Sequence, residues 1–240
     1  MAPRPGAVAR ASWIALLDTL LPPLCPGCGV QLGSPRWICS ACRRRFEARR
    51  DTRVCFACRI RGRPEGNRRA GMGCGEPGHR LHGHGVFWMG DPLDTVIHAF
   101  KYRGQRALGR PLGRLLAHQV AIPAGALIAP LPLHRTRLRE RGYNQAALLA
   151  RAAAERWGAP CVDGVLARTR ATRPQAGIEA GGRKDNIRGA FTILQRGAAA
   201  GRCWVLVDDV ATTGSTLGEA AAALLEAGAE RVVPVVLALA

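Results

Sequence analysis

Two hydrophobic periods divide this chain. From residue 85 onward, short apolar runs alternate with stretches in which apolar side chains recur every three or four positions. These are the signatures of buried strands and of helices with one buried face. Val86–Met89, Ala126–Leu131, Phe191–Leu194, Val205–Val207 and Val232–Leu239 read as strands, the last with Pro234 near its start. Pro92–Tyr102 reads as a helix with Leu93, Val96, Ile97 and Phe100 inward, stopped near Gly104. Arg106–Val120, the Ala-rich Gln145–Trp157 and Leu217–Ala227, closed by Gly228, are further helices. Unbroken apolar strands alternating with helices predict a parallel sheet with helices on both faces.

Before residue 85 the pattern differs. Trp13, Leu16, Leu17, Leu20, Leu21 and Leu24 form a helical stripe interrupted by Asp18. No run approaches the ~20 apolar residues of a membrane span, and no small-residue cleavage site follows. The stripe is expected to pack as an amphipathic helix, against the protein, a partner or a membrane surface. The chain thus divides into a tail and amphipathic helix (1–24), a cysteine-rich module (25–84) and an α/β domain (85–240).

The cysteines come in pairs: Cys25-x-x-Cys28, Cys39-x-x-Cys42 and Cys55-x-x-Cys58, followed by Cys74. Each such turn aims two thiolates at one tetrahedral ion, so the spacing points to zinc. The simplest grouping closes one site with Cys25, Cys28, Cys39 and Cys42. Cys55, Cys58 and Cys74 would begin a second, with His79 as its fourth ligand and His82 and His84 nearby. An interleaved pairing and a disulfide framework are the alternatives. Cys161 and Cys203 read as small core residues.

The richest chemistry lies in Val205–Leu217. A short apolar strand ends at Asp208 and Asp209, and Ala211, Thr212, Thr213, Gly214, Ser215 and Thr216 lead into a helix. Glycine lets backbone approach an anion closely, and the free N–H groups of a helix N-terminus favour phosphate. Adjacent carboxylates suit ribose hydroxyls or Mg²⁺. After the strand at Ala126–Leu131 comes a basic segment with Arg135, Arg137 and Arg141, whose guanidinium groups suit bidentate contacts to phosphate. Lys101 is a weaker candidate for the same anion. Residues 166–191, with Arg170, Gln175, Arg183 and Asn186, form a polar, glycine-bearing stretch suited to a lid or a nucleic-acid loop. No residue stands out as a general base.

Charge adds a partner class. The chain has 240 residues, 35 basic against 17 acidic, a formal net charge of +18. Only Lys101 and Lys184 are lysines, and the arginines are densest around the cysteines, from Arg43 to Arg69. Such a surplus is a footprint for polyanions, including nucleic acid. Codon bias toward arginine is the plain alternative. With 48% hydrophobic residues, a disordered chain is excluded.

Val205–Leu217 resembles the phosphoribosyl-pyrophosphate (PRPP) loop of type I phosphoribosyltransferases over all thirteen residues. A wider resemblance spans roughly residues 13–240. It is carried by the paired cysteines, Phe100-Lys101-Tyr102-Arg103-Gly104, Pro130-Leu131-Pro132-Leu133, Arg141-Gly142-Tyr143-Asn144-Gln145, Arg168–Gln175, Arg183–Phe191 and the Asp208-Asp209 loop. This order is similar to the ComF family of competence proteins. The resemblance implies a double-zinc-ribbon-like module before a type I phosphoribosyltransferase-like domain. It further implies binding of PRPP with magnesium, its pyrophosphate held by a loop after the Ala126–Leu131 strand through Arg135, Arg137 and Arg141, with Lys101 as a weaker candidate, and a role in natural transformation in the cytoplasm, at or near the inner face of the membrane. Single-stranded DNA and the DNA-uptake machinery would be its partners. One departure is that position 77 is Pro, where a Cys-x-x-Cys beginning at Cys74 would place its second thiol. The alternatives are a catalytically silent PRPP sensor or nucleic-acid-binding module, and a nucleobase-salvage phosphoribosyltransferase.

Overall fold

The computed structural model describes residues 23–33, 36–61, 81–170 and 189–240. Most of the Trp13–Leu24 stripe, together with Cys74, His79, Gln175, Arg183 and Asn186, lies outside the described residues. In chain order the elements are α1 (Ser40–Arg44), β1 (Arg53–Cys55), α2 (Phe56–Ile60), β2 (His82–Trp88), α3 (Leu93–Tyr102), a 3₁₀ turn (Arg106–Leu108) and α4 (Gly109–Gln119). There follow β3 (Leu127–Pro130), α5 (Arg135–Arg141), α6 (Gln145–Trp157), β4 (Leu166–Arg168), β5 (Phe191–Ile193), α7 (Arg196–Ala199), β6 (Cys203–Ala211), α8 (Ser215–Glu226) and β7 (Arg231–Leu239).

Five strands form one sheet in the order β1-β2-β7-β6-β3, parallel except for the antiparallel edge strand β1. The α/β class expected from the sequence holds. Alternate residues of the central strands feed two cores. Val205 and Val207 of β6 and Val233, Val235 and Leu237 of β7 join α3, α4 and α6 in one. Trp204 and Leu206 of β6 and Val232 and Val236 of β7 join α2 and α8 in the other. Burial on both faces explains why these strands read as unbroken apolar runs. Pro234 is accommodated inside β7. The β2–β7 ladder opens just past it at His84↔Val235, and Gly83 lies so close that a Cβ there would be 2.0 Å from the Pro234 carbonyl oxygen.

The cysteine-rich segment is continuous with this body. β1 pairs with β2 across Cys55↔His82, and β2 runs through position 84. Cys25, Leu32, Ile38, Cys42 and Phe46 are buried in the same core as α3, with Phe46 edge-on to Phe87 at 5.8 Å. Arg49 is buried and donates to the carbonyl oxygens of Gly85 (3.1 Å) and Thr52 (3.3 Å), its guanidinium 4.8 Å from the Trp88 ring centroid. Part of the arginine surplus therefore holds the module to the sheet.

Two expectations need correction. β6 continues to Ala211, so Asp208 and Asp209 lie inside the strand and not at its end; pairing with β7 persists to Ala211↔Leu239. The basic segment after β3 is the helix α5, not a loop. Its sequence contains no Gly or Pro, His134 Nδ1 accepts from the Thr136 N–H at 3.3 Å to start it, and Gly142 at φ 71° ends it.

Candidate functional site

A cleft of about 780 Å³ opens beyond the carboxyl ends of the parallel strands, where ligands of open α/β sheets bind. Its floor is Ala211–Leu217, and the opposite wall is α5 with His134, Thr136, Arg137, Glu140 and Arg141. Lys101 of α3 and Arg168 of β4 complete it, and Asp208 faces into it. Arg135, expected beside them, does not line it, and Asp209 lies behind. Among the described lining residues, four cations face two carboxylates, which favours an anion. The volume suits a small, polar ligand.

The floor is built by local geometry. Gly214 takes φ +80° as the residue before α8, and itself offers no side-chain cap to that helix. The Thr213 hydroxyl accepts from the Ser215 N–H at 3.3 Å and lies 2.8 Å from Ser215 Oγ. The remaining first-turn N–H groups carry the positive end of the helix toward the cleft.

The two aspartates do different work. Successive strand residues point to opposite sides. Asp209, only 5% exposed, is salt-bridged to Lys101 Nζ at 2.9 Å. Asp208 turns into the cleft, and its Oδ1 accepts from the Asp209 N–H at 2.8 Å. Burial, then the neighbouring Asp209 charge, pushes the Asp208 carboxyl up to about 7, against the opposing pull of Lys101. A carboxyl near neutrality in a cleft can accept or return a proton at physiological pH. Sequence reading found no such group, because the effect comes from burial. Arg168 was likewise missed as a site residue; only the β4–β5 pairing brings it to the cleft.

Arg141-Gly142-Tyr143-Asn144-Gln145 forms the corner between α5 and α6. Asn144 caps α6 through the Ala146 N–H (3.1 Å) and donates to the Leu131 carbonyl (3.0 Å). The Tyr143 hydroxyl donates to the Phe100 carbonyl, tying the corner to α3. Arg141 donates to Gln145 Oε1 at 3.0 Å and to the Tyr102 hydroxyl at 3.3 Å. Its Nε, and Nε2 of the 2%-exposed Gln145, are buried donors with no acceptor among the described residues. Of the two residues, Arg141 lines the cleft and Gln145 does not.

A second constellation lies in the cysteine-rich segment. The sulfurs of Cys25, Cys28, Cys39 and Cys42 all lie within 4.8 Å of one another, and those of Cys28 and Cys39 are 3.7 Å apart. A tetrahedron with ~2.3 Å metal–sulfur bonds has edges of ~3.8 Å, so the donor set fits a metal ion such as zinc. The Cys39 N–H points at Cys25 Sγ (3.5 Å) and the Cys42 N–H at Cys39 Sγ (3.3 Å). Burial raises the Cys25 thiol, but the backbone N–H groups of Cys39, Gly27 and Cys28 outweigh it and hold it at about 7, close to the thiolate form that metals bind. Cys55 and Cys58 flank the start of α2.

Among the described residues, no helix is long and apolar enough to cross a membrane. No family model matches the chain. Among solved structures, it is similar to a glutamine PRPP amidotransferase from B. subtilis complexed with ADP and GMP, at 24% identity and a TM-score of 0.38, covering 55% of this chain and 26% of that one. These values are too low to bear on function. Curated relatives are more telling. Competence protein F of Haemophilus influenzae is 35% identical over 59% of this chain and 66% of its own length. The DNA utilization protein YhgH of Salmonella typhi is 33% identical, and that of Escherichia coli O6:H1 34%, each over 88% of this chain and 95% of the relative. Identity sustained along nearly the whole of these relatives places the chain in the ComF family of competence and DNA utilization proteins.

Proposed function

We propose that this protein binds PRPP in the cleft beneath α5 and acts as a phosphoribosyltransferase-like component in the handling of incoming single-stranded DNA. The observation that carries the reading is the pairing of two anion sites across one cleft. On one side is the glycine-centred floor before α8; on the other is α5 with Arg137 and Arg141. A ligand with a phosphate at one end and a pyrophosphate at the other spans such a cleft. Thr212–Thr216 would hold the 5′-phosphate, Arg137 and Arg141 the pyrophosphate, and Asp208 the ribose hydroxyls or their Mg²⁺. Lys101 would act mainly by holding Asp209. Displacement of pyrophosphate at ribose C1 passes through an oxocarbenium-like state, so positioning and charge stabilisation are the protein's task.

Zinc at Cys25, Cys28, Cys39 and Cys42 would be structural, since four protein ligands leave no open position. The names of the relatives, competence and DNA utilization, support the cellular role, and the +18 net charge supports contact with DNA at the cytoplasmic side.

Titration calorimetry of the full chain with PRPP, with and without Mg²⁺, tests the site. Micromolar, Mg²⁺-dependent binding is expected; no binding under either condition rejects the reading. Release of pyrophosphate on adding a nucleobase or amine would establish transfer, whereas binding without turnover makes the protein a PRPP sensor. For single-stranded DNA, log affinity should fall linearly with log salt, and a flat dependence would reject the basic-surface contact.

A further inference from the structure

The helix bearing the second Cys-x-x-Cys pair, α2, stands directly behind the floor of the cleft. Phe56 is fully buried against Gly214, where a Cβ would lie 2.7 Å from Phe56 Cδ1. Ile60 fills the space beside Gly218 in α8, where a Cβ would meet Ile60 Cδ1 at 2.6 Å. Arg59 reaches the loop itself. Its Nε donates to the Thr212 carbonyl at 2.5 Å, and its Nη2 donates to the main-chain oxygen of Ala240.

Those two main-chain oxygens are neighbours in the sheet. Thr212 and Ala240 each follow a residue of the pair Ala211↔Leu239 on neighbouring parallel strands, and the Ala240 N–H donates to the Ala211 carbonyl at 3.0 Å. The main-chain oxygens of Thr212 and Ala240 both lie within reach of Arg59. A guanidinium presents several donors in one rigid plane, so a single side chain can hold both.

The consequence is orientational. In a planar trans peptide the C=O and N–H point in opposite directions. With its carbonyl held by Arg59, the Thr212–Thr213 peptide directs the Thr213 N–H away from Arg59. Arg59 does not line the cleft, whereas Thr213 does. Released, this peptide could turn over and bring a carbonyl oxygen to the position of an anion's oxygen.

We infer that Arg59 is a positioning residue of the anion site. It locks the Thr212–Thr213 peptide with its N–H on the ligand side, while Phe56 and Ile60 back the loop. The cysteine-rich segment thereby takes part in ligand binding without touching the ligand. This rests on the reading of the loop as a phosphate site.

The test uses the full chain with Arg59→Ala, titrated with ribose 5-phosphate and, separately, with pyrophosphate, and with the melting temperature recorded. Ribose 5-phosphate affinity should fall about ten- to a hundredfold. Pyrophosphate affinity, governed by the α5 side, should stay within about twofold. Arg59→Gln retains one donor but not the fork; it should fall between the wild type and Arg59→Ala, and it reads the same split if Arg59→Ala does not fold. Unchanged ribose 5-phosphate affinity overturns the inference. So does a parallel loss of both ligands that tracks melting temperature, which marks a structural role only. Wild-type protein that binds neither ligand overturns the site reading, and this inference with it.

Discussion

Two Cys-x-x-Cys regions of this chain, alike in sequence, sit in different mechanical positions. Cys25, Cys28, Cys39 and Cys42 close on one another and bury two of their number in the core shared with α3. Cys55 precedes and Cys58 lies within a one-turn helix whose Phe56 and Arg59 meet the floor of the cleft and whose Ile60 packs beside Gly218 of α8. The first is a rivet and the second is a brace. The same contrast recurs between neighbouring aspartates: Asp209 is tied inward to Lys101, and Asp208 faces the ligand space. Spacing alone does not distinguish a structural cysteine pair from one beside a site, nor a structural acid from a chemical one. What each touches decides.

The largest test of this comparison is Cys42→Ser, which removes a buried ligand of the four-cysteine cluster. Metal binding supplies folding energy outright at such sites. Elemental analysis should find zinc in the wild type and none in the variant, which should melt at least about 10 °C lower, with ligand affinity falling only as far as the unfolded fraction requires. Retained metal and an unchanged melting temperature would break the rivet reading.

Next is Asp209→Ala, which leaves the partly buried Lys101 without its partner. Breaking a buried pair costs about 3–5 kcal/mol, so denaturant unfolding should show a large loss of stability. Asp208→Ala should show little. A smaller cost for Asp209→Ala than for Asp208→Ala would reverse the roles assigned to the two.

Gly214→Ala should cost less stability but more binding. A side chain at φ +80° is strained by about 1–2 kcal/mol, and its Cβ would collide with Phe56. Ribose 5-phosphate affinity should therefore drop about tenfold or more, and unaltered affinity would show that the loop tolerates displacement from α2.

The smallest expected effect has the opposite sign. Asp208 titrates at about 7 in the folded protein, above its usual 3.8. The folded state therefore holds that proton more tightly than the unfolded state. Stability from this group is greatest below pH ~4, declines as pH rises toward 7, and the penalty is complete above it. Asp208→Asn keeps the side-chain oxygen that accepts from the Asp209 N–H and removes the charge. It should be more stable than wild type at pH 8, with the gain shrinking toward pH 5, while Mg²⁺-dependent PRPP affinity falls. A constant difference across that range would place the proton elsewhere.

Much of this was legible in the chain. Gln145–Trp157 is a helix with the predicted bounds, since Asn144 and Gly158 punctuate it locally. The four first cysteines were grouped by spacing, and the structure brings them together. Asp208, Thr212–Thr216, Arg137, Arg141 and Lys101 were named from sequence and line one cleft. The failures are instructive. For residues 135–141 the resemblance to phosphoribosyltransferases implies a loop, although charged residues without Gly or Pro propagate a helix well, and the segment is helical. The strand end was placed at Asp208 because apolar character stops there, although pairing with β7 continues for three more residues.

By itself, then, the sequence determined what depends on near neighbours and on periodicity: the α/β alternation, the helix caps, the cysteine knuckles and the glycine-centred loop. Only the tertiary structure decided what depends on residues far apart in the chain. Arg59 meets Thr212 and Ala240 across more than 150 residues, Lys101 meets Asp209, Arg168 reaches the cleft through the β4–β5 pair, and Asp208 is pushed toward neutrality. The reason is physical: local backbone preference acts over a few residues, whereas desolvation, ion pairing and peptide orientation depend on whatever the fold brings within a few ångströms.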